Sequence, residues 1–294
     1  MRPPSSKVLA LSTAIIGAVA AEDCADNLHL LVARATNEDP GEGQSGQVAT
    51  KVIDRLNGTD SVGLDYPATF IDPAYARSVL EGTTRLKEDI LDYRTACPDT
   101  KMALLGYSQG AQVIMDTICG SSSVGFGNET AISSDIIDES IVAIVLFGDP
   151  SFVANTTYDA GTAIRDGIFP RDNTTTCEGL SDRLISFCDT GDVYCDAGNN
   201  RTTHGSYIQV YGDEAADYII DRYEKATGDS SNSTDSSSAG DGDGDGNSTD
   251  SGNAGNSDGD SNNSDDGGSG AASGMAPTLG VIGLASLVAA IGLL

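Results

Sequence analysis

The stretch Lys101-Met-Ala-Leu-Leu-Gly-Tyr-Ser-Gln-Gly-Ala-Gln-Val-Ile-Met115 constrains the chain most: an apolar run halts at a serine held between glycines, then resumes with helical spacing. That order reads as strand, sharp turn and helix. Gly106-Tyr107-Ser108-Gln109-Gly110 fits G-x-S-x-G, in which a serine occupies a strained turn and small neighbours let backbones approach closely. The Ser108 hydroxyl is expected to be pushed out of the fold, and the Gln109 amide to lie at a helix N-terminus, where an unpaired donor and the helix dipole favour negative charge.

The ends of the chain are not globular. Arg2 and Lys7 precede an apolar run over residues 8–21 that closes on small residues, so residues 1–21 read as a secretory signal peptide. Residues 226–274 are almost wholly Gly, Ser, Asn, Asp and Thr, a composition that buries no core and reads as a disordered acidic spacer. Residues 275–294 form an uncharged, weakly apolar tail. After small residues and a polar spacer this is the pattern of a GPI-anchor signal, with cleavage expected among residues 266–271. A short C-terminal transmembrane helix is the alternative, disfavoured by the length of the stretch and by its lack of a basic flank.

Residues 22–225 then remain as one domain, which holds all six cysteines. An even cysteine count behind a signal peptide implies disulfides formed in an oxidising compartment. Zinc binding is not expected, because the chain has two histidines and no C-x-x-C pair. No other metal or cofactor is indicated. Sequons at Asn57, Asn128, Asn155, Asn173, Asn200, Asn232, Asn247 and Asn262 fit a secreted glycoprotein. A net charge of −28, from 44 acidic against 16 basic residues, argues against a nucleic-acid partner and for a soluble domain on an extended stalk.

Within the domain, apolar patterning predicts strands at residues 28–33, 62–66, 101–107, 141–147 and 183–187. Amphipathic helices are expected at residues 44–57, 73–97, 109–119 and 213–225. Strands alternating with helices indicate a parallel α/β sheet, whose sites lie at the carboxyl ends of the strands. The loop over residues 34–43 leaves the first strand at that edge.

A serine nucleophile needs an imidazole to take its proton and a carboxylate to orient the imidazole. His29 precedes the serine inside an apolar strand and reads as a satisfied core histidine. His204 follows it in a polar loop, in the order serine, acid, histidine that α/β-hydrolases use. The acid is assigned to Asp192, in a tight loop between Cys188 and Cys195 that a disulfide would close, with Asp189 of the same loop as the alternative.

Gly106-Tyr-Ser-Gln-Gly-Ala111, Ala33-Arg-Ala-Thr36, the Cys188-Asp-x-x-Asp-x-x-Cys195 ring and Thr203-His-Gly-Ser-Tyr-Ile-Gln-Val-Tyr-Gly212 together resemble the cutinase and acetylxylan esterase family of serine esterases. The resemblance spans residues 24–225. It implies a lidless, cutinase-like α/β-hydrolase, a three-layer sandwich around a central parallel sheet, with Ser108, Asp192 and His204 as the triad. It also implies an oxyanion hole from the Gln109 amide and from the Thr36 backbone and hydroxyl. The implied disulfides are Cys24–Cys97 and Cys188–Cys195, which leave Cys119 for Cys177. Many cutinases carry serine at the oxyanion position and apolar residues before the histidine, whereas this chain has Thr36 and the polar run 196–203, closer to the acetylxylan esterases.

The expected partners are therefore a plant cell-wall polysaccharide or polyester substrate and a membrane reached through a lipid anchor, with a monomer as the expected state. Apolar residues of segment 151–169, namely Phe152, Val153, Ile168 and Phe169, would instead favour cutin if they folded over the site. A non-catalytic wall or adhesion protein that keeps the fold is a further alternative, suggested by the glycosylated acidic stalk.

Overall fold

The computed structural model describes residues 24–228. The expected signal peptide over residues 1–21, the C-terminal tail over residues 275–294 and all but the first residues of the expected spacer lie outside the described residues. Six parallel strands form one sheet in the order β2-β1-β3-β4-β6-β5. They are β1 (Leu28–Ala33), β2 (Asp60–Gly63), β3 (Lys101–Tyr107), β4 (Ile141–Phe147), β5 (Asp159–Gly161) and β6 (Leu184–Cys188).

The central strands are apolar on both faces because both faces are covered. Side chains alternate across a pleated strand, so Met102 and Leu104 of β3 enter one core and Ala103, Leu105 and Tyr107 the other. The first core is closed by α2 (Tyr75–Ala96), α3 (Gln109–Cys119) and α4 (Ser134–Ser140), through Leu86, Ile90, Val113, Ile114 and Ile137. On the opposite face lie α1 (Gly46–Arg55) and α7 (Tyr207–Thr227), through Val48, Val52, Ala216 and Ile219. Two short helices, α5 (Thr175–Glu178) and α6 (Arg201–His204), and a 3-10 turn at Gly43–Ser45 complete the described fold. The result is the expected three-layer α/β arrangement.

Three pairings cross the chain as disulfides: Cys24–Cys97, Cys119–Cys177 and Cys188–Cys195. Strand β2 runs earlier than the apolar pattern at residues 62–66 suggests. The Leu64 amide still donates to the Val32 carbonyl of β1, but the buried Arg34 guanidinium reaches across and takes the carbonyls of Leu64, Tyr66 and Pro67, so the strand pairing stops there. Helix α7 also starts earlier, at Tyr207, and carries Gly212 inside it against Val48 of α1.

The strand order reverses direction between β1 and β3, and at such a switch point the exit loops diverge and leave a crevice. Thr36 leaves β1 and Ser108 leaves β3 at that point.

Candidate active site

Ser108 joins β3 to α3 with φ 53° and ψ −116°, a backbone conformation that L residues rarely adopt. The strain is held from both sides: the Ser108 amide donates to the Phe147 carbonyl of β4, and its carbonyl accepts from the Gln112 amide in α3. The hydroxyl is not thrust into solvent as the motif alone suggests. Ser108 is 7% exposed, because His204 closes over it.

His204 Nε2 lies 3.0 Å from Ser108 Oγ, and its Nδ1 lies 2.9 Å from Asp192 Oδ2 and 3.2 Å from Oδ1. A carboxylate can only accept, so Nδ1 carries the proton in the neutral ring and Nε2 is left as the acceptor facing the serine hydroxyl. Asp192 is fully buried. Burial alone would raise its pKa, but the hydrogen bond and charge of His204 and the amides of Tyr194 and Cys195 outweigh it and hold the carboxyl below its ordinary value.

Asp189, the alternative acid, faces elsewhere. Its Oδ1 accepts from the Thr162 amide and hydroxyl and from the Tyr211 phenol. The loop thus separates two carboxylates three residues apart, one turned to His204 and one to the β5 exit.

The Thr36 loop meets the elbow through Gln109. The fully buried Gln109 side chain donates from Nε2 to Thr36 Oγ1 at 3.3 Å and to the Thr69 carbonyl at 3.0 Å, while its Oε1 accepts from Ser78 Oγ at 2.8 Å. Thr36 Oγ1 is therefore an acceptor from Gln109, which leaves its own proton free to donate. Glu38 braces the loop by accepting from the amides of Ala35 and Gln44. Gly110 permits the approach, since a Cβ there would overlap the carbonyls of Ala33 and Arg34.

Several residues around the site carry little or no signal in a linear reading. Tyr107 donates to the His204 carbonyl, and the Tyr194 ring stands edge-on to His204 with centroids 4.5 Å apart. Gly148 has φ 59°, and a Cβ on it would come within 2.9 Å of His204 Nδ1 and 2.8 Å of Cε1. Its one visible sign was the Gly-Asp-Pro sequence at a strand's carboxyl end. Asp196, the first residue of the polar run before His204, is buried and accepts from the amides of Gly191, Ile164 and Arg165, so it ties loops together and does not wet the rim. Phe152 of segment 151–169 points into the core, Phe169 packs on Tyr75 and Phe126, and Ile168 is exposed, its amide donating to the Tyr194 carbonyl.

His29 is a core residue. Its Nδ1 lies 2.6 Å from Asp60 Oδ1 and its ring stacks on Tyr93. Among the described residues, no group of three or more His, Cys, Asp or Glu side chains is arranged to hold a metal ion.

Comparison with known proteins agrees with this geometry. The Cutinase family model matches residues 24–223. Acetylxylan esterase of Hypocrea jecorina is 33% identical over 222 residues, 73% of this chain and 73% of that protein. Cutinase 11 of Verticillium dahliae is 30% identical over 210 residues, 69% of this chain and 70% of that protein. Among solved structures, the catalytic core domain of acetyl xylan esterase from Trichoderma reesei matches with a TM-score of 0.63 at 32% identity, covering 66% of this chain and 98% of that one. The chain belongs to the cutinase family and is a carboxylic ester hydrolase.

Proposed function

We propose that this hydrolase is a secreted, surface-attached serine esterase that removes short acyl groups, chiefly acetyl, from plant cell-wall polysaccharide through an acyl-enzyme on Ser108. The observation that carries the reading is the continuous hydrogen-bonded path from Asp192 through His204 to Ser108. Ser108 Oγ attacks the ester carbonyl carbon while its proton passes to His204 Nε2. Asp192 steadies the imidazolium. The tetrahedral oxyanion takes donors from the Gln109 amide and from Thr36. Collapse breaks the bond to the alcohol oxygen, which leaves with the proton from Nε2, and water repeats the steps to release the acid.

The preference for short acyl groups is supported by the similarity to acetylxylan esterases and by the exposed polar residues Asn199, Asn200, Arg201 and Thr202 ahead of His204. Secretion and anchoring rest on the two terminal sequence patterns and on the sequons. Those at Asn57, Asn128, Asn155, Asn173 and Asn200 all fall at exposed positions. Phosphatidylinositol-specific phospholipase should release the protein from membranes, and detection of residues 281–294 in mature protein would refute the anchor.

A second reading, hydrolysis of cutin polyester, is favoured by an apolar group on the rim. Phe70 and Ile71 follow Thr69, whose carbonyl Gln109 contacts, and Ile164 and Ile168 lie on the loop beside Tyr194, all four exposed. Each methylene a substrate buries there would gain about 0.8 kcal/mol. The test is a series of p-nitrophenyl esters from acetate to octanoate, beside acetate release from acetylated xylan. Efficiency falling beyond butyrate supports the first reading, and a maximum at longer chains supports the second.

A further inference from the structure

Tyr207 opens α7 and is fully buried, yet its phenol oxygen sits among three polar atoms. It lies 2.8 Å from the Asp189 amide, 2.8 Å from Asp192 Oδ2 and 3.2 Å from Cys195 Sγ. The direction of its proton follows from what each neighbour can do. The amide can only donate, so the phenol oxygen accepts there. Cys195 is bonded to Cys188 and has no proton to give, and its sulfur is a poor acceptor beside a carboxylate. The phenol proton therefore points at Asp192 Oδ2, the oxygen nearest to His204 Nδ1.

We propose that Tyr207 is a positioning residue of the triad, which donates to Asp192 Oδ2 alongside His204 and so sets both the orientation and the strength with which the carboxylate holds the imidazole. The proposal rests on Ser108, His204 and Asp192 working as a triad. Asp192 Oδ1 is already occupied by the amides of Tyr194 and Cys195. With Tyr207 on Oδ2, the carboxylate plane is fixed from both ends before the imidazole is added. The Asp189 amide polarises the phenol that it feeds, so the donors act in series.

The titratable groups that face Asp192 are His204 of α6, Tyr207 of α7 and Tyr107 of β3, with Asp189 and Tyr194 on its own loop. Tyr207 stays a donor at every working pH, since burial first and then the nearby Asp192 charge raise its phenol far above the ordinary tyrosine value.

Tyr211 supplies the matched control. It lies one turn further along α7 and donates at 2.8 Å to Asp189 Oδ1, anchoring the same loop without touching the triad carboxylate. The full chain, with Tyr207→Phe and Tyr211→Phe, would be assayed for kcat and KM on p-nitrophenyl acetate across pH. Phosphonylation of Ser108 by diethyl p-nitrophenyl phosphate would be followed in parallel.

Removing a donor concentrates charge on Asp192, so the His204–Asp192 pair takes up its inactivating proton at higher pH, whichever member receives it. Tyr207→Phe is expected to lower kcat about tenfold with KM little changed, and to move the acid limb of kcat/KM up by about half to one pH unit. Tyr211→Phe should leave that limb in place. Replacing Tyr207 by 3-fluorotyrosine, a stronger donor of the same shape, should move the limb to lower pH and tests the idea even if the Phe variant does not fold. An unmoved limb with fluorotyrosine, or equal displacement in both Phe variants, overturns the proposal. A wild-type enzyme that is not phosphonylated at Ser108 overturns the triad reading itself.

Discussion

The molecule holds two histidine–aspartate pairs, at opposite ends of the same sheet. His29 and Asp60 meet near the amino ends of β1 and β2 at 2.6 Å, and His204 and Asp192 meet beyond the carboxyl ends at 2.9 Å. Each imidazole also touches a tyrosine ring, Tyr93 in one and Tyr194 in the other. The pairs differ in their acids. Asp60 has a side chain 48% exposed and Asp192 one that is 0% exposed, while the histidines are alike at 9% and 13%. Water screens the first pair at its exposed carboxylate. In the second the carboxylate is fixed by amides and the far nitrogen meets Ser108. A histidine–aspartate contact is thus common to structure and chemistry. The burial of the acid and the partner at the other nitrogen separate them.

The largest expected break of the comparison is Ser108→Ala, which should lower kcat by about 10⁶-fold, read by ester hydrolysis, with circular dichroism and thermal unfolding unchanged. Asp192→Asn should lower kcat by about 10⁴-fold by favouring the wrong tautomer, whereas Asp189→Asn should leave it within a few-fold. The same Asp192 variant carries a pH signature. The folded carboxyl titrates below its unfolded value near 3.8, so its stabilisation is complete above that value and is lost as pH falls through the folded pKa. Wild type and Asp192→Asn should therefore differ in denaturant midpoint at pH 6 and converge towards pH 2.

Gly148→Ala, which forces a methyl against the His204 ring, should cost about 10²-fold in kcat with KM little changed. The smallest effect is expected at the other pair: Asp60→Asn should change stability by less than about 1 kcal/mol in urea unfolding and leave kcat as it is.

The elbow, the chain order of the triad and the sheet class were legible because each is a local pattern: an apolar run, a spacing, a sequence order. The role of His29 could also be read, from its apolar neighbours. The choice between Asp192 and Asp189 could not be read from spacing. Both lie in one short ring, and which one turns to His204 depends on where Tyr207 and Tyr211 of a distant helix meet them. Helix α4 leaves no mark in the sequence because its seven residues are too few for a periodic signal, and most of them are polar. The displaced end of β2 has a different cause: the competitor for the carbonyls that follow it is a buried arginine thirty residues earlier in the sequence. His204 reads as a loop residue because its helix has only four residues, too few for a periodic signal, and starts from a side-chain cap, Asn200 Oδ1 accepting from the amides of Thr202 and Thr203.

The contact at Gly110 sets a limit on how this site can diverge. The proposed oxyanion donors come from segments far apart in sequence, and their separation is set by one main chain resting on another, α3 against the exit of β1. Substitution can change what Thr36 offers, or the exposed apolar groups Phe70, Ile71, Ile164 and Ile168. It cannot shorten a separation that already has no side chain in it, and any addition at position 110 can only widen it. Substrate range is therefore the adjustable property of this scaffold, and the spacing of its charge-stabilising donors is the invariant one.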